Sequence, residues 1–343
     1  MAQSHGSIAY INSITNNLYP ITFYKMDAIG GYFSLELPQR EEYHKNAIWL
    51  NIGRNCLEYI LRVRGYKKVF VPYYTCEAVM EPINKLGIPY EFYHIDVHFE
   101  IRDRFSLKER EALLYTNYFG LKQRYAEQLA ERIGSRLIVD NTQAFYAKPI
   151  PGIDTFYTCR KFFGVADGAY LYTDNLLDEE FEQDESYDRM AHLLKRIDLS
   201  AEQGFVDFRK VDDGLDNQPI RRMSKLTQRI MQSIDYEAVA KKRRENYHML
   251  QEVLGEDNNL VLSLEEDAVP MVYPFLAPIK GLREKLIENK VFVARYWPNV
   301  LDWTTNDDIE YLLAFQMQPL PIDQRYGEGE MKSIIEIVNK NRL

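Results

Sequence analysis

The sequence predicts an α/β protein, with a mainly parallel sheet between helices in a three-layer α/β/α sandwich, followed by a small C-terminal α+β domain. Two observations carry this expectation. From residue 48 to residue 140, short apolar runs alternate with amphipathic stretches of helical spacing, which is the pattern of repeated βαβ units. Directly after those runs stand Tyr73, Tyr74, Thr75, Asn117, Asp140 and Gln143, and open parallel sheets bind ligands beyond the C-terminal ends of their strands. The chain has 343 residues, 46% of them hydrophobic, enough for a sizeable core and for about two domains. The boundary is expected near residue 225, giving a large domain with an N-terminal arm (1–225) and a long helix with the small domain (226–343).

The elements follow in order. Gly30-Gly31 marks a turn and residues 32–37 read as extended. Ile48-Trp49-Leu50-Asn51 is a strand, and Gly53-Arg54-Asn55 opens a helix whose apolar spacing runs on through Cys56-Leu57-Glu58-Tyr59-Ile60-Leu61. Lys68-Val69-Phe70-Val71 is a strand closed by Pro72, and a helix over 76–85 follows. Tyr90-Glu91-Phe92-Tyr93-His94 and Ala112-Leu113-Leu114-Tyr115-Thr116-Asn117 are further strands, the second ending at Tyr118-Phe119-Gly120. A helix over 124–133 leads to Arg136-Leu137-Ile138-Val139, a short buried strand that delivers Asp140. Beyond Tyr172 the pattern changes: the acidic run 178–185 reads as a solvated loop or a helix start, and two helical stretches follow. A long helix is expected from about 221 to 254, with Met223, Leu226, Ile230, Ile234 and Val239 along one face and Lys241-Lys242-Arg243-Arg244 on its exposed side. In the C-terminal part, strands are expected at 272–276 and 311–315, and helices at 282–289 and 328–339.

Charge and composition exclude several functions. A net charge of −9 argues against binding the nucleic-acid backbone. The three cysteines, Cys56, Cys76 and Cys159, form no Cys-x-x-Cys pair, so neither zinc nor a disulfide is expected. His94 and His98 are four apart, but on a strand and loop, so no metal is expected there. Met1 to Ser7 is polar with no apolar segment after it, and the longest apolar stretch, 268–279, holds Pro270, Pro274 and Pro278. A soluble, cytoplasmic chain without membrane contact is the expectation. The 25 tyrosines suit packing positions that need a polar tip.

The chemistry centres on Lys161. Asp140 stands twenty-one positions earlier at a strand end, and Thr158-Cys159-Arg160-Lys161 leads into the Gly-containing turn Phe162-Phe163-Gly164. Pyridoxal phosphate (PLP) requires this pair: an amine to form an imine with the cofactor aldehyde, and a carboxylate to keep the pyridine nitrogen protonated. Taken singly, each residue reads as a surface lysine or a turn aspartate; order, spacing and flanking strands together carry the assignment. Gly53-Arg54-Asn55 opens a helix directly after a strand, where backbone amides attract phosphate, and Thr158 can add a hydroxyl.

With these residues in place, the chain resembles the DegT/DnrJ/StrS family of fold-type-I PLP enzymes, known chiefly as sugar aminotransferases, over roughly 45–340. Asn51-Ile52-Gly53-Arg54-Asn55-Cys56-Leu57 is similar to the family's Ser-Gly-Thr-x-Ala-Leu turn, and Val71-Pro72-Tyr73-Tyr74-Thr75 to its Val-Pro-Ser-x-Thr. Asn117-Tyr118-Phe119-Gly120 resembles His-Leu-Tyr-Gly, and Asp140 and Gln143 match the Asp and Gln of Glu-Asp-Ala-Ala-Gln-Ala. Lys161 matches the imine lysine, Ile220-Arg221-Arg222-Met223-Ser224 resembles Asn-Tyr-Arg-Met-Ser, and Leu320-Pro321 resembles a Leu-Pro near the C-terminus. Three positions depart. Cys76 replaces the stacking aromatic, leaving Tyr73 or Tyr74 as candidates; Ile220 replaces the asparagine that reaches a neighbour's phosphate, leaving Asn217 or Arg222; and Ala166-Asp167-Gly168-Ala169 stands where Gly-Glu-Gly-Gly is usual.

The resemblance implies the PLP-dependent transferase fold type I, a homodimer, and transfer of an amino group from an amino acid such as glutamate to a nucleotide-linked keto sugar. Lys161 would hold the cofactor and then act as the base, and Asp140 would face the ring nitrogen. Gln143, Tyr74 and Asn117 would lie by the ring, and Gly53, Arg54, Asn55, Thr158 and Arg222 by the phosphate. Sugar choice would rest on Tyr296-Trp297-Pro298 and the arm around 30–37. Relatives that dehydrate sugars carry histidine at the lysine position, so Lys161 favours amino transfer. A PLP enzyme of another reaction type and a non-catalytic fold relative are the alternatives.

Overall fold

A computed structural model describes residues 29–104 and 106–342. The polar start of the chain, read above as lacking a targeting segment, lies outside the described residues. By its internal contacts the chain divides into two units, one through Glu36 and one from Leu37 onward. In the first, the described residues 29–36 form bends and coil, with no strand over the stretch expected to be extended.

Strand β1 (Ile48–Leu50) leads into helix α1 (Gly53–Arg64), which ends at Gly65 in the left-handed region, φ 60°. Strand β2 (Lys68–Pro72) is followed by a 3-10 turn and α2 (Met80–Lys85), then β3 (Tyr90–Tyr93) and β4 (Glu111–Thr116). Helix α3 (Gln123–Ile133) returns the chain to β5 (Leu137–Asp140), and β6 (Asp154–Thr158) and β7 (Ala169–Tyr172) complete a seven-stranded sheet. Its order is β1-β7-β6-β5-β4-β2-β3. The strands from β6 to β3 pair in parallel, while β7 runs antiparallel to both its neighbours.

The three layers follow from the period-2 alternation of strand side chains. In β4, Leu113 and Tyr115 enter one apolar core while Ala112 and Leu114 enter the other. In β5, Leu137 and Val139 divide from Ile138 in the same way. Helices α1 and α2 cover one face; α3 and the C-terminal elements cover the other.

After β7 come α4 (Ala191–Asp198), α5 (Ala201–Asp213), α6 (Lys225–Met231) and α7 (Tyr236–Leu254). The single helix expected over 221–254 is thus two helices. Ser224 caps α6 by accepting from the Thr227 amide, and Asp235 caps α7 by accepting from the Ala238 amide. Two local caps override a continuous apolar stripe. The basic cluster is also divided: Arg243 is buried, with its guanidinium held by carbonyl groups. Strand β8 (Tyr273–Phe275), α8 (Leu282–Glu288), the short α9 (Val300–Trp303), α10 (Ile309–Gln316), β9 (Gln318–Leu320) and α11 (Glu328–Lys340) follow. The strand expected at 311–315 is therefore helix α10. Short apolar runs are ambiguous in period; here the fully buried Glu310 takes the Ile95 amide at 2.7 Å, and the strand paired with β8 comes just after, as β9. No described helix is long and apolar enough to cross a membrane.

A buried histidine makes the fold pH-sensitive. His44 is 1% exposed, with Nε2 2.8 Å from the Phe145 carbonyl and Nδ1 3.1 Å from the Tyr172 hydroxyl. The ring is neutral, donating from Nε2 and accepting at Nδ1. Burial lowers its pKa from 6.5 to about 4, opposed by the bond to Phe145. The unfolded chain therefore binds this proton more readily, so the stabilisation is complete above pH 6.5 and is lost as pH falls toward about 4. The loss is about 3 kcal/mol. Glu42 works in the opposite sense, because burial raises its pKa, despite bonds from Tyr170 and Tyr236. Comparison with His44→Gln isolates the histidine: the stability difference between wild type and variant, from urea unfolding, is expected to shrink by that amount across the window. A constant difference would show that the ring is not held neutral.

Candidate active site

The lysine turn begins where β6 ends. Asp140 pairs with Phe156 across β5 and β6, so Asp140 and Thr158 leave the sheet from adjacent strand ends. The turn closes with the Phe162 and Phe163 amides donating to the Cys159 carbonyl at 3.0 and 2.9 Å. Half-buried Lys161 donates from Nζ to the Thr142 hydroxyl at 3.0 Å. The Thr142 amide donates to Asp140 Oδ1 at 2.8 Å. Asp140 is buried, and burial raises its pKa; the nearby Lys161 charge opposes this first, then the Thr142 hydroxyl and amide. Thr142 thus joins the amine, through its hydroxyl, to the carboxylate, through its amide, at the sheet's C-terminal edge.

Gly53 opens α1 after Ile52, which has no side-chain group to cap the helix. A Cβ on Gly53 would lie 3.3 Å from Thr142 Cγ2 and 3.9 Å from Thr158 Cβ. The amide end of α1, Thr142 and Thr158 therefore face one small space. The Thr158 hydroxyl donates to the Gly168 carbonyl at 3.3 Å. Gly168 has φ +111°, and a Cβ there would meet Cys159 Sγ at 2.8 Å, so this departure from Gly-Glu-Gly-Gly keeps the glycine its backbone needs. The preceding Asp167 is buried and accepts from the Ser224 amide and hydroxyl at 2.8 and 2.7 Å and from the Thr227 hydroxyl. It fixes the start of α6.

Several predicted ligands are turned to other work. Arg54 pairs with Glu81 and, at 2.6 Å, with Asp216. Asn55 donates to Asn51 Oδ1 at 2.9 Å and to the Pro219 carbonyl at 2.8 Å, clasping α1 to the segment before α6. Asn117 accepts from the Lys122 amide and donates to Gln123, which ties the loop after β4 to the start of α3. Arg222 is exposed and lines a groove with Trp49, Tyr59 and Phe181 that includes none of the other site residues. The Arg54, Asn55 and Asn117 side chains are thus committed to partners within the fold.

Gln143 and Tyr74 keep open groups. Gln143 Oε1 accepts from the Phe119 amide at 2.9 Å, while its buried Nε2 has no protein partner. The Tyr74 hydroxyl is likewise buried and unpartnered, with its ring 5.1 Å from Trp297. Tyr73 instead stacks on Phe92 at 4.7 Å.

Other contributors were less visible in the sequence. Thr142 was hidden within the Asp-Asn-Thr-Gln run. Cys76 stands close to the amine: burial raises its pKa, and the Lys161 charge is the first influence opposing it. Tyr296 lies with it, its pKa raised by burial to about 12, next to Cys76. Asn299 donates to the Thr75 carbonyl at 2.9 Å, which seats residues 296–299 against the loop after β2. Arg243 reaches from α7 to the Phe162 carbonyl at 3.4 Å and lies 4.5 Å over its ring. Gln324 donates to the same carbonyl at 2.8 Å. The lysine turn is thus held from the C-terminal half of the chain. His94, separate from His98, meets Glu310 at 3.3 Å near Asp308.

No protein-family model matches this chain, and no curated protein is similar to it in sequence. Solved structures are similar in fold. A DegT DnrJ EryC1 StrS aminotransferase from Brucella abortus aligns over 87% of this chain and 88% of its own, at 15% identity and TM-score 0.58. The sugar aminotransferase CalS13 from Micromonospora echinospora aligns over 86% and 87%, at 14% identity and TM-score 0.54. NtdA from Bacillus subtilis, with bound cofactor PMP, aligns over 86% of this chain and 72% of its own, at 15% identity and TM-score 0.58. The chain therefore has the fold of the fold-type-I aminotransferases.

Proposed function

We propose that this chain is a PLP-dependent aminotransferase that moves an amino group from an amino acid, with glutamate the leading donor, to a keto sugar carried on a nucleotide, working as a homodimer. The observation that carries the proposal is that Thr142 joins Lys161 and buried Asp140, its hydroxyl accepting from Lys161 Nζ and its amide donating to Asp140 Oδ1, at strand ends in this fold. Likeness to sugar aminotransferases at low identity supports the sugar as acceptor. The residues fit the cofactor: a half-buried amine, a buried carboxylate beside it, an unpartnered Gln143 amide and an uncapped helix terminus opened by Gly53. Lys161, Asp140, Gln143, Thr158 and the backbone of Gly53 and Arg54 would hold it, with Tyr74 and Asn117 in the supporting wall.

The cofactor would supply an aldehyde and an electron-withdrawing ring. The chain's own residues do the rest. Thr142 orients the Lys161 amine, which carries the proton to and from the substrate carbon. Asp140 would offer a charge-assisted hydrogen bond that keeps the ring protonated. The start of α1 would receive the phosphate through backbone amides. Because Arg54 and Asn55 are otherwise engaged, their side chains steady this turn. Arg222, exposed on the far groove, would serve a neighbouring copy.

The test is a half-reaction. With PLP loaded, glutamate or glutamine is expected to remove the visible absorbance band, and a keto sugar nucleotide to restore it. Response to an amino acid with no keto sugar accepted would redirect the assignment to another substrate. Bound PLP with no response to any amino donor would end the transferase reading.

A further inference from the structure

His94 stands among acids that its own stretch of sequence does not supply. It follows the edge strand β3, and the start of α10 brings Asp308 and Glu310 to it, Glu310 from 216 positions away. His98, four positions on, is exposed and outside the group. One ligand atom each from His94, Asp308 and Glu310 all lie within 4.8 Å of one another. Glu310 is 0% exposed, and among the described residues no lysine or arginine lies within ion-pair distance of it. A carboxylate withdrawn from water needs a compensating positive charge. His94 Nδ1 stands 3.3 Å from both Glu310 oxygens. That is longer than the ~2.7–2.9 Å of a charge-assisted hydrogen bond. It matches the edge of a tetrahedron built on zinc bonds of about 2.0–2.1 Å, which is about 3.4 Å. Outer bonds hold the three ligands in place. The Ile95 amide donates to Glu310 Oε1 at 2.7 Å, which leaves Oε2 for a metal. Asp308 Oδ2 accepts from the Thr305 amide and hydroxyl at 2.8 and 2.9 Å, which leaves Oδ1. The His94 amide donates to Asp103 Oδ2 at 2.6 Å. Partners of this kind orient metal ligands.

We propose that His94, Asp308 and Glu310 bind one divalent transition-metal ion, zinc by their donor set, as a clip between the end of β3 and the start of α10. The imidazole selects against magnesium and calcium, which take oxygen ligands. Three protein ligands leave the fourth tetrahedral position to water. The ion supplies the charge that buried Glu310 lacks. It also acts on the chain around it. Asn299 ties the start of α9 to the Thr75 carbonyl after β2, and the ion fixes the chain a second time after β3, so that residues 299–310 are held at two points on the sheet. The proposal is independent of the amino-transfer reading.

The experiment is calorimetric titration of zinc into the full, tag-free chain, first stripped with a chelator and dialysed into a non-chelating buffer at neutral pH. Wild type is expected to bind one zinc per chain with micromolar or tighter affinity. Cobalt in its place should give visible d–d absorption, and millimolar magnesium should not compete. Glu310→Gln keeps an acceptor for the Ile95 amide and nearly the same volume. This variant and His94→Ala should each weaken zinc binding at least about a hundredfold, more than loss of an outer partner costs. His98→Ala should bind as wild type does. Zinc should raise the thermal midpoint of wild type by a few degrees and leave that of Glu310→Gln unchanged; the midpoints without zinc show that each variant is folded. No binding by wild type would overturn the proposal and leave His94 and Glu310 as an ion pair. Binding that survives both substitutions, or that is lost in His98→Ala, would place the ion elsewhere and overturn it as well.

Discussion

Lys161→Ala is expected to abolish amino transfer, by roughly ten-thousand-fold or more, because one substitution removes both the group that anchors the cofactor and the proton carrier. The geometry makes the loss specific. Thr142, with its hydroxyl 3.0 Å from the amine, cannot replace a basic nitrogen, and Cys76 beside it has its pKa raised by burial. Lys161→Arg is the sharper comparison. It restores a positive charge beside Thr142 and Asp140 but cannot form the bond to an aldehyde, so it should be as inactive as alanine while folding as well as wild type. Borohydride treatment of the PLP-loaded protein followed by peptide mapping reads the anchor directly. Label on any other lysine, or a visible band surviving in Lys161→Arg, would overturn the assignment.

The second large effect is expected at Asp140. Asp140→Asn should still bind PLP through Lys161 but lose about 10²–10³-fold in the half-reaction rate, since a neutral amide cannot make the charge-assisted bond that holds the ring nitrogen protonated. The same change should not destabilise the protein. Burial holds the folded pKa of Asp140 above the ordinary aspartate value of 3.8, so the folded state binds its proton more tightly than the unfolded chain. Its contribution is then greatest below pH 3.8 and is lost as pH rises through the raised folded value. At neutral pH the ionised carboxylate lowers stability, and asparagine removes that cost. The paired measurement is a stopped-flow half-reaction and a thermal midpoint without cofactor: the rate falls while the midpoint holds or rises. A variant with wild-type rates would show that the carboxylate does not face the ring. A sharply lowered midpoint would mark Asp140 as structural, a site held for stability rather than chemistry.

Much of the large domain was legible because its signals are local. Short apolar runs gave β1 to β5, and the lysine turn could be recognised from its own flanking residues. The misses have two causes, local capping and long-range packing. Ile234 continues the apolar stripe of 221–254, yet Asp235 begins a new helix by capping the Ala238 amide, a choice made by two side chains within an otherwise continuous pattern. The run 311–315 satisfies strand and helix alike until packing buries Glu310 against the Ile95 amide, 215 residues away in sequence. Arg243 looks like one of four solvated cations; folding buries it against carbonyls of Phe162, Pro270 and Met271.

The candidate site divides in the same way. The sequence by itself determined that Asp140 ends a strand and that Lys161 follows twenty-one positions later in a Thr-x-x-Lys turn, because these are properties of short segments; that the two leave adjacent strands was decided by the pairing of β5 with β6. Tertiary structure alone decided which polar groups would face them. Arg54 was read as a phosphate ligand but pairs with Glu81 and Asp216, 27 and 162 positions away, and Thr142 became the bridge between Lys161 and Asp140. A charged side chain takes the nearest compensating partner that folding brings to it, since leaving it unpaired in a low-dielectric interior costs several kcal/mol. That partner is set by how distant elements pack, and no local residue pattern records it.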